Sequence, residues 1–123
     1  MCHGFGSDKE GSHRERADFL AENGFSAVRF DFRGNGGSTG EFTEQTLSSR
    51  VEDLVSVVEY FEPEDYALFG SSFGAKVVYF SLEGLRPELV TVKSPALLDR
   101  VIDPYRARVE RSGGFELLPG KRV

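Results

Sequence analysis

The chain has 123 residues, enough for one domain, with the 39% hydrophobic and 28% charged content of a soluble globular protein. Its 20 acidic and 15 basic residues leave a net charge of -5, which disfavours a broad nucleic-acid surface, because that needs a basic patch to displace counterions. The single cysteine, Cys2, excludes an internal disulfide and a cysteine-built zinc site, and no segment approaches the ~20 apolar residues of a membrane span.

The predicted elements alternate along the chain. The segment from Ser12 to Asn23 reads as a helix, with Ala17, Leu20 and Ala21 at i, i+3 and i+4 and a stop at Asn23-Gly24. Phe25 to Phe32 is short, aromatic and β-branched, and reads as a strand. Arg33 to Gly40 is too rich in glycine to be helix or strand and is predicted as a loop. A second helix is expected over Thr46 to Phe61, where Leu47, Val51, Leu54, Val55, Val58 and Phe61 make one apolar stripe ended by Pro63.

Tyr66 to Phe69 is a short strand. Ser72 to Glu83 is a helix apolar on most sides and therefore expected to be largely buried. Leu89 to Lys93 is a third strand, and Tyr105 to Arg111 a weaker helix candidate. The order α-β-α-β-α-β implies a mostly parallel sheet with helices on its faces and a site at the carboxyl ends of the strands. The three expected strands should therefore share one parallel sheet.

Three glycine clusters fall at that edge. Gly70-Ser71-Ser72-Phe73-Gly74 matches G-x-S-x-G between a strand and a helix. In that context a sharp turn lifts the serine hydroxyl clear of the sheet, and the helix start offers oriented N–H groups. Ser72 is thus a candidate nucleophile on a strained turn. His3-Gly4-Phe5-Gly6 is a second loop, suited to donate a backbone N–H to an oxyanion, with Phe5 and Phe73 as the two donors. His3 is disfavoured as a base because the base should follow the serine, and His13 is expected on the surface of the first helix.

The third cluster, Asp31 to Ser38, does not meet the dinucleotide fingerprint. From Gly34 the sixth position is Thr39, and Glu41 and Phe42 precede any helix. The P-loop spacing fails too, since Gly70 and Gly74 are one residue too close and Lys76 does not directly follow a glycine. A nucleotide-binding α/β domain is the weakest of the alternatives.

Together these residues resemble the α/β-hydrolase superfamily, particularly its esterases, lipases and serine aminopeptidase-type members. HGFG, DFRGNGGS and GSSFG occur in the family's order between Cys2 and Pro95. The resemblance implies a serine hydrolase that cleaves a small-molecule carboxylic ester, amide or thioester through an acyl-enzyme. Ser72 would be the nucleophile, and the Phe5 and Phe73 N–H groups the oxyanion hole. Asp31 and Arg33 would brace the adjoining loop, and no cofactor or metal would be required.

The resemblance also implies a partial α/β-hydrolase fold, with N-terminal strands and the C-terminal acid and histidine segment missing. Residues 1–103 would form the partial core, and residues 104–123 the start of a lid or cap insertion or a truncated tail. Both histidines precede Ser72. Asp99 and Asp103 stand where some lipase-like relatives keep the acid, although a surface or capping role is the simpler expectation. The strand that should lead into HGFG would lie between the Phe25–Phe32 and Tyr66–Phe69 strands. A complementing chain is an expected partner on this reading, and a non-catalytic or split-partner module is the alternative. Met1 to Glu10 lacks the apolar run of a signal peptide, so a cytoplasmic location is the default.

Overall fold

In the computed structural model, residues 1–93 are described in full and residues 116–118 and 121–122 by their backbone. Helix α1 spans Ser12–Glu22. It ends where the Asn23 N–H bonds back to Leu20 O at 3.1 Å and Gly24 takes φ +87°. A 3₁₀ turn at Phe42–Glu44 precedes α2, Leu47–Phe61. Thr46 caps α2 with a reciprocal box: its Oγ1 accepts from Ser49 N at 3.0 Å, while its own N–H donates to Ser49 Oγ at 2.9 Å.

Strand β1, Ala67–Ser71, runs into α3, Phe73–Ser81, and the chain returns as β2, Leu89–Lys93. β1 and β2 pair in parallel from Ala67 opposite Leu89 to Ser71 opposite Lys93. A further antiparallel pair, β3 (Glu116–Leu118) and β4 (Lys121–Arg122), flanks Pro119-Gly120. The fold is α/β, with a small parallel sheet and flanking helices. Its core joins Cys2, Phe32, Leu54, Leu68, Phe73, Val77, Val78 and Leu85.

The Phe25–Phe32 segment departs from expectation. It is extended but belongs to no ladder, so among the described residues the parallel sheet has two strands and not the three expected. What lies beside it is Met1 and Cys2. The Met1 ammonium donates to Val28 O at 2.9 Å. On the other side Cys2 bridges Gly70 in parallel, with Cys2 N to Phe69 O at 2.8 Å and Ser71 N to Cys2 O at 3.0 Å. The strand leading into HGFG was expected between these two segments, and Met1 and Cys2 stand there. The single bond from Met1 to Val28 makes no ladder with 25–32, although Phe32 is still buried in the core.

The helices keep most of what was expected, with two departures in detail. α3 is largely buried as expected, through Phe73, Gly74, Ala75, Val77, Val78 and Ser81, while Tyr79 and Phe80 are each about half exposed, at 50% and 49%. Among the described residues the sheet beneath is two strands wide, too narrow to cover both flanks of the helix. In α2 the stripe packs as expected through Val58, whereas Phe61 is exposed and packs its ring edge-on to Tyr60 at 5.1 Å. Tyr105 to Arg111, Asp99 and Asp103 lie outside the described residues.

Candidate functional site

Ser72 joins β1 to α3 at φ 54°, ψ −117°, a conformation that non-glycine residues rarely occupy and that costs of order 1–3 kcal/mol. It is the N-cap of α3, yet its side chain makes no capping bond. The turn is held by Ser72 N to Lys93 O at 2.9 Å and Ala75 N to Ser72 O at 3.1 Å. Phe73 opens the helix, so its N–H is one of the four with no acceptor within the helix.

The glycines around Ser72 are explained by close approach. A Cβ on Gly70 would stand 2.6 Å from Ala75 Cα, so Gly70 lets α3 sit on β1. A Cβ on Gly74 would overlap Cys2 O and lie 2.7 Å from His3 O, so Gly74 admits the backbone leading into HGFG. A Cβ on Gly4 would fall 3.3 Å from Ser72 Cβ and 3.8 Å from its Oγ, which puts the HGFG loop directly against Ser72. The loop turns at Gly6, φ +69°, with Ser7 N reaching Gly4 O at 3.4 Å. The Phe5 and Phe73 rings meet edge to face at 6.0 Å. A cavity of about 360 Å³ opens here, with Gly4, Phe5, His13, Ser71 and Ser72 in its wall.

The third glycine cluster is a brace. Asp31 Oδ1 accepts from Lys9 N at 2.7 Å, and its Oδ2 accepts from Lys9 Nζ at 2.8 Å and Gly37 N at 2.9 Å. Burial acts to raise the Asp31 pKa, but these donors outweigh it and hold the carboxyl below its ordinary range. Arg33 clamps the loop to α2 through Asp53, with Nε to Oδ1 at 2.8 Å and backbone N to Oδ2 at 2.9 Å. The Gly37 N–H is thus already spent on Asp31, as the bracing role for Asp31 and Arg33 requires.

Neither histidine hydrogen-bonds Ser72. His3 is fully buried; its Nε2 accepts from Phe32 N at 3.2 Å, which puts the proton on Nδ1, where it donates to Gly4 O at 2.9 Å. Burial pushes its pKa down to about 4. Unfolded chain takes up a proton near the ordinary value of 6.5, and folded chain only near 4. Between those values the unfolded state binds more protons, so stability is full above 6.5 and falls as the pH drops towards 4. Urea unfolding across that interval is expected to lose about 3 kcal/mol, since each pKa unit corresponds to about 1.4 kcal/mol. His3→Gln should flatten the slope; an unchanged slope would place the effect elsewhere.

The expectation of a surface His13 is corrected. Only 5% of it is exposed. It shares with Ala17, one turn on, the face of α1 that turns inward, and its ring meets Phe69 of β1 edge to face at 5.8 Å. Burial lowers its pKa, and its Nε2 has no hydrogen-bond partner. The i, i+4 spacing with Ala17 was the available signal.

Arg50 carried no such flag, and among the described residues it is the largest fully buried side chain. It lies on the α2 stripe between Leu47 and Leu54, at the i+3 position from which an apolar residue is missing. Its Nε and Nη2 donate to Gln45 Oε1 at 2.9 and 2.5 Å, and its Nη1 stands 3.5 Å from both His3 O and Gly4 O. The guanidinium lies over the rings of Phe32 and Phe73, at 4.7 and 5.0 Å. Burial lowers its pKa to about 10, so it remains a cation at neutral pH. Among the described residues no carboxylate pairs with it, no cluster of acidic, histidine or cysteine side chains could hold a metal ion, and no helix is long and apolar enough to cross a membrane.

A parallel β-α-β unit with a strained serine at the strand-to-helix turn, faced by a glycine loop, is the architecture of an α/β-hydrolase. The chain belongs to the hydrolase family described as serine aminopeptidase, S33, whose model matches residues 1–101. It is 30% identical to a crystal structure named "Putative hydrolase" from Agrobacterium vitis S4, with a TM-score of 0.81 over 95% of this chain and 51% of that one. It is also 30% identical over 107 residues to a protein named "Acyl transferase" from Photorhabdus laumondii, covering 83% of this chain and 33% of that protein. A 31.7 kDa Escherichia coli protein from the traX-finO intergenic region is 31% identical over 85 residues, 64% of this chain and 30% of its own length. The chain therefore spans about a third of these curated relatives and about half of the solved structure.

Proposed function

We propose that this chain supplies the nucleophile and oxyanion hole of a serine hydrolase that cleaves a carboxylic ester, amide or thioester. The observation that carries the reading is Ser72 itself: a non-glycine residue at positive φ, at a helix N-terminus, with its hydroxyl unused as a cap and Gly4 against its Cβ. In the reaction, Ser72 Oγ would attack the substrate carbonyl as its proton passes to a base. The N–H groups of Phe5 and Phe73 would receive the developing oxyanion. Collapse would expel the leaving group, which takes up the proton, and leave an acyl-serine for water or another acceptor to release. The Photorhabdus relative's name suits an acyl-serine intermediate, and the family description suits an amide substrate.

The base is not among the chain's own histidines on this reading, because His3 is committed to Phe32 and Gly4, and His13 makes no bond to Ser72. That observation also favours a second reading, a non-catalytic or split-partner module. Chemical rescue separates the two. Free imidazole fits a cavity of this size and can act as the base. A fluorophosphonate is expected to modify Ser72 in an imidazole-dependent manner, and Ser72→Ala to remove the labelled peptide. Absence of label at Ser72 at any imidazole concentration would favour the non-catalytic module.

A further inference from the structure

We infer that Arg50 is a positioning residue that aims and polarises the Phe5 N–H from beneath the HGFG loop. The inference rests on the proposed role of that N–H.

The argument is one of peptide geometry. The Gly4 carbonyl and the Phe5 N–H belong to one peptide group. No peptide bond here is cis, so the C=O and N–H bonds point in opposite directions. Whatever grips the Gly4 oxygen from below therefore sets where the Phe5 N–H points above. Among the described residues that oxygen has three donors around it: His3 Nδ1 at 2.9 Å, Ser7 N at 3.4 Å and Arg50 Nη1 at 3.5 Å. Only the last is charged. A cation on the carbonyl side draws electron density through the amide and makes the opposite N–H a stronger donor.

Arg50 also reaches the other half of the proposed hole, since its guanidinium lies over the Phe73 ring next to Ser72. One side chain from α2 thus touches both segments that must converge on one oxygen. Gln45 fixes its aim: the single Oε1 accepts from Arg50 Nε, Arg50 Nη2 and Asn35 Nδ2, the last at 2.8 Å. The amide is locked in that orientation, because flipping it would turn its own NH₂ against three donors.

A role in folding alone is a poor account of this arrangement. A buried arginine with no carboxylate partner among the described residues carries a desolvation penalty that an apolar residue of similar length would avoid. The favourable term it can add is a positive field at the site where negative charge would develop.

The test uses ¹⁵N-labelled chain as wild type, Arg50→Met and Arg50→Lys. In Arg50→Met the Phe5 amide proton is expected to move upfield well beyond the shifts of the β1 amides, and Arg50→Lys to recover most of its position. The rate of imidazole-dependent fluorophosphonate incorporation at Ser72 should fall by about 10²-fold in Arg50→Met, the scale of losing one oxyanion donor, with partial recovery in Arg50→Lys. An unmoved Phe5 resonance in folded Arg50→Met overturns the inference. If Arg50→Met does not fold, Gln45→Leu, which frees the guanidinium, should shift Phe5 in the same direction, and no shift there overturns it equally. If wild type and Ser72→Ala take up the probe alike, the reading of Ser72 fails, and the Phe5 resonance decides the case of Arg50 by itself.

Discussion

Purified chain is expected to release no more p-nitrophenol from a short acyl ester than Ser72→Ala does. The reason lies in the site's proton inventory. A serine hydroxyl is a weak nucleophile unless a base takes its proton, and neither imidazole of this chain is bonded to it. Sites lacking a triad member can retain about 10³–10⁴-fold over water from the oxyanion hole and binding, too little to rise clearly above a spontaneous ester background. Imidazole in the buffer should open a gap between wild type and Ser72→Ala. Co-expression with the segments by which its relatives exceed this chain should open it much further. Robust turnover by the chain alone, lost in Ser72→Ala, would mean that a base has been overlooked, and His13→Ala would be the first variant to make, because His13 lies in the same cavity wall as Ser72.

Gly74→Ala is expected to be among the most damaging single methyl additions in the molecule. The new Cβ would meet the Cys2 carbonyl and His3 O, both backbone atoms, so no side-chain rotation relieves the clash. Either α3 lifts from β1 or HGFG is driven away from Ser72. Overpacking of this kind costs about 1–3 kcal/mol and sometimes more, and we expect the upper end, a large share of the roughly 5–15 kcal/mol that holds a domain folded. Gly84→Ala is the control, since nothing lies within 4 Å of its added Cβ and its φ is not positive. Urea titrations of the two variants should differ widely in midpoint. Similar midpoints would mean that the packing of HGFG on the turn is looser than the contacts around Gly74 imply.

Much of this arrangement was legible in the sequence because it is written in residues with narrow conformational uses. Positive φ and close backbone approach need glycine, so Gly4, Gly6, Gly70 and Gly74 located the loop and the turn before any coordinate did. Thr46 and Pro63 bracketed α2, and the alternation of short strands and helices gave the parallel pairing. What escaped was set by the environment. Phe25–Phe32 has strand composition, but a ladder needs a neighbour with bonds to give, and Met1 gives Val28 only one. His13 was judged by its polarity and not by its i, i+4 partnership with Ala17. Arg50 was illegible because a charged residue on an apolar stripe ordinarily reaches out to solvent. Its acceptors, Gln45 and the carbonyls of a loop some forty-six residues away, become neighbours only in the fold.

The place of Cys2 against Gly70 and Gly74 has a use at the bench. It is the single cysteine of the sequence, it is fully buried, and burial raises its thiol pKa to about 11. The thiolate is the reactive form, so at neutral pH the folded chain keeps this sulfur both covered and protonated. The rate at which an alkylating reagent takes the thiol therefore times the opening of the backbone that leads into HGFG, with no engineered label.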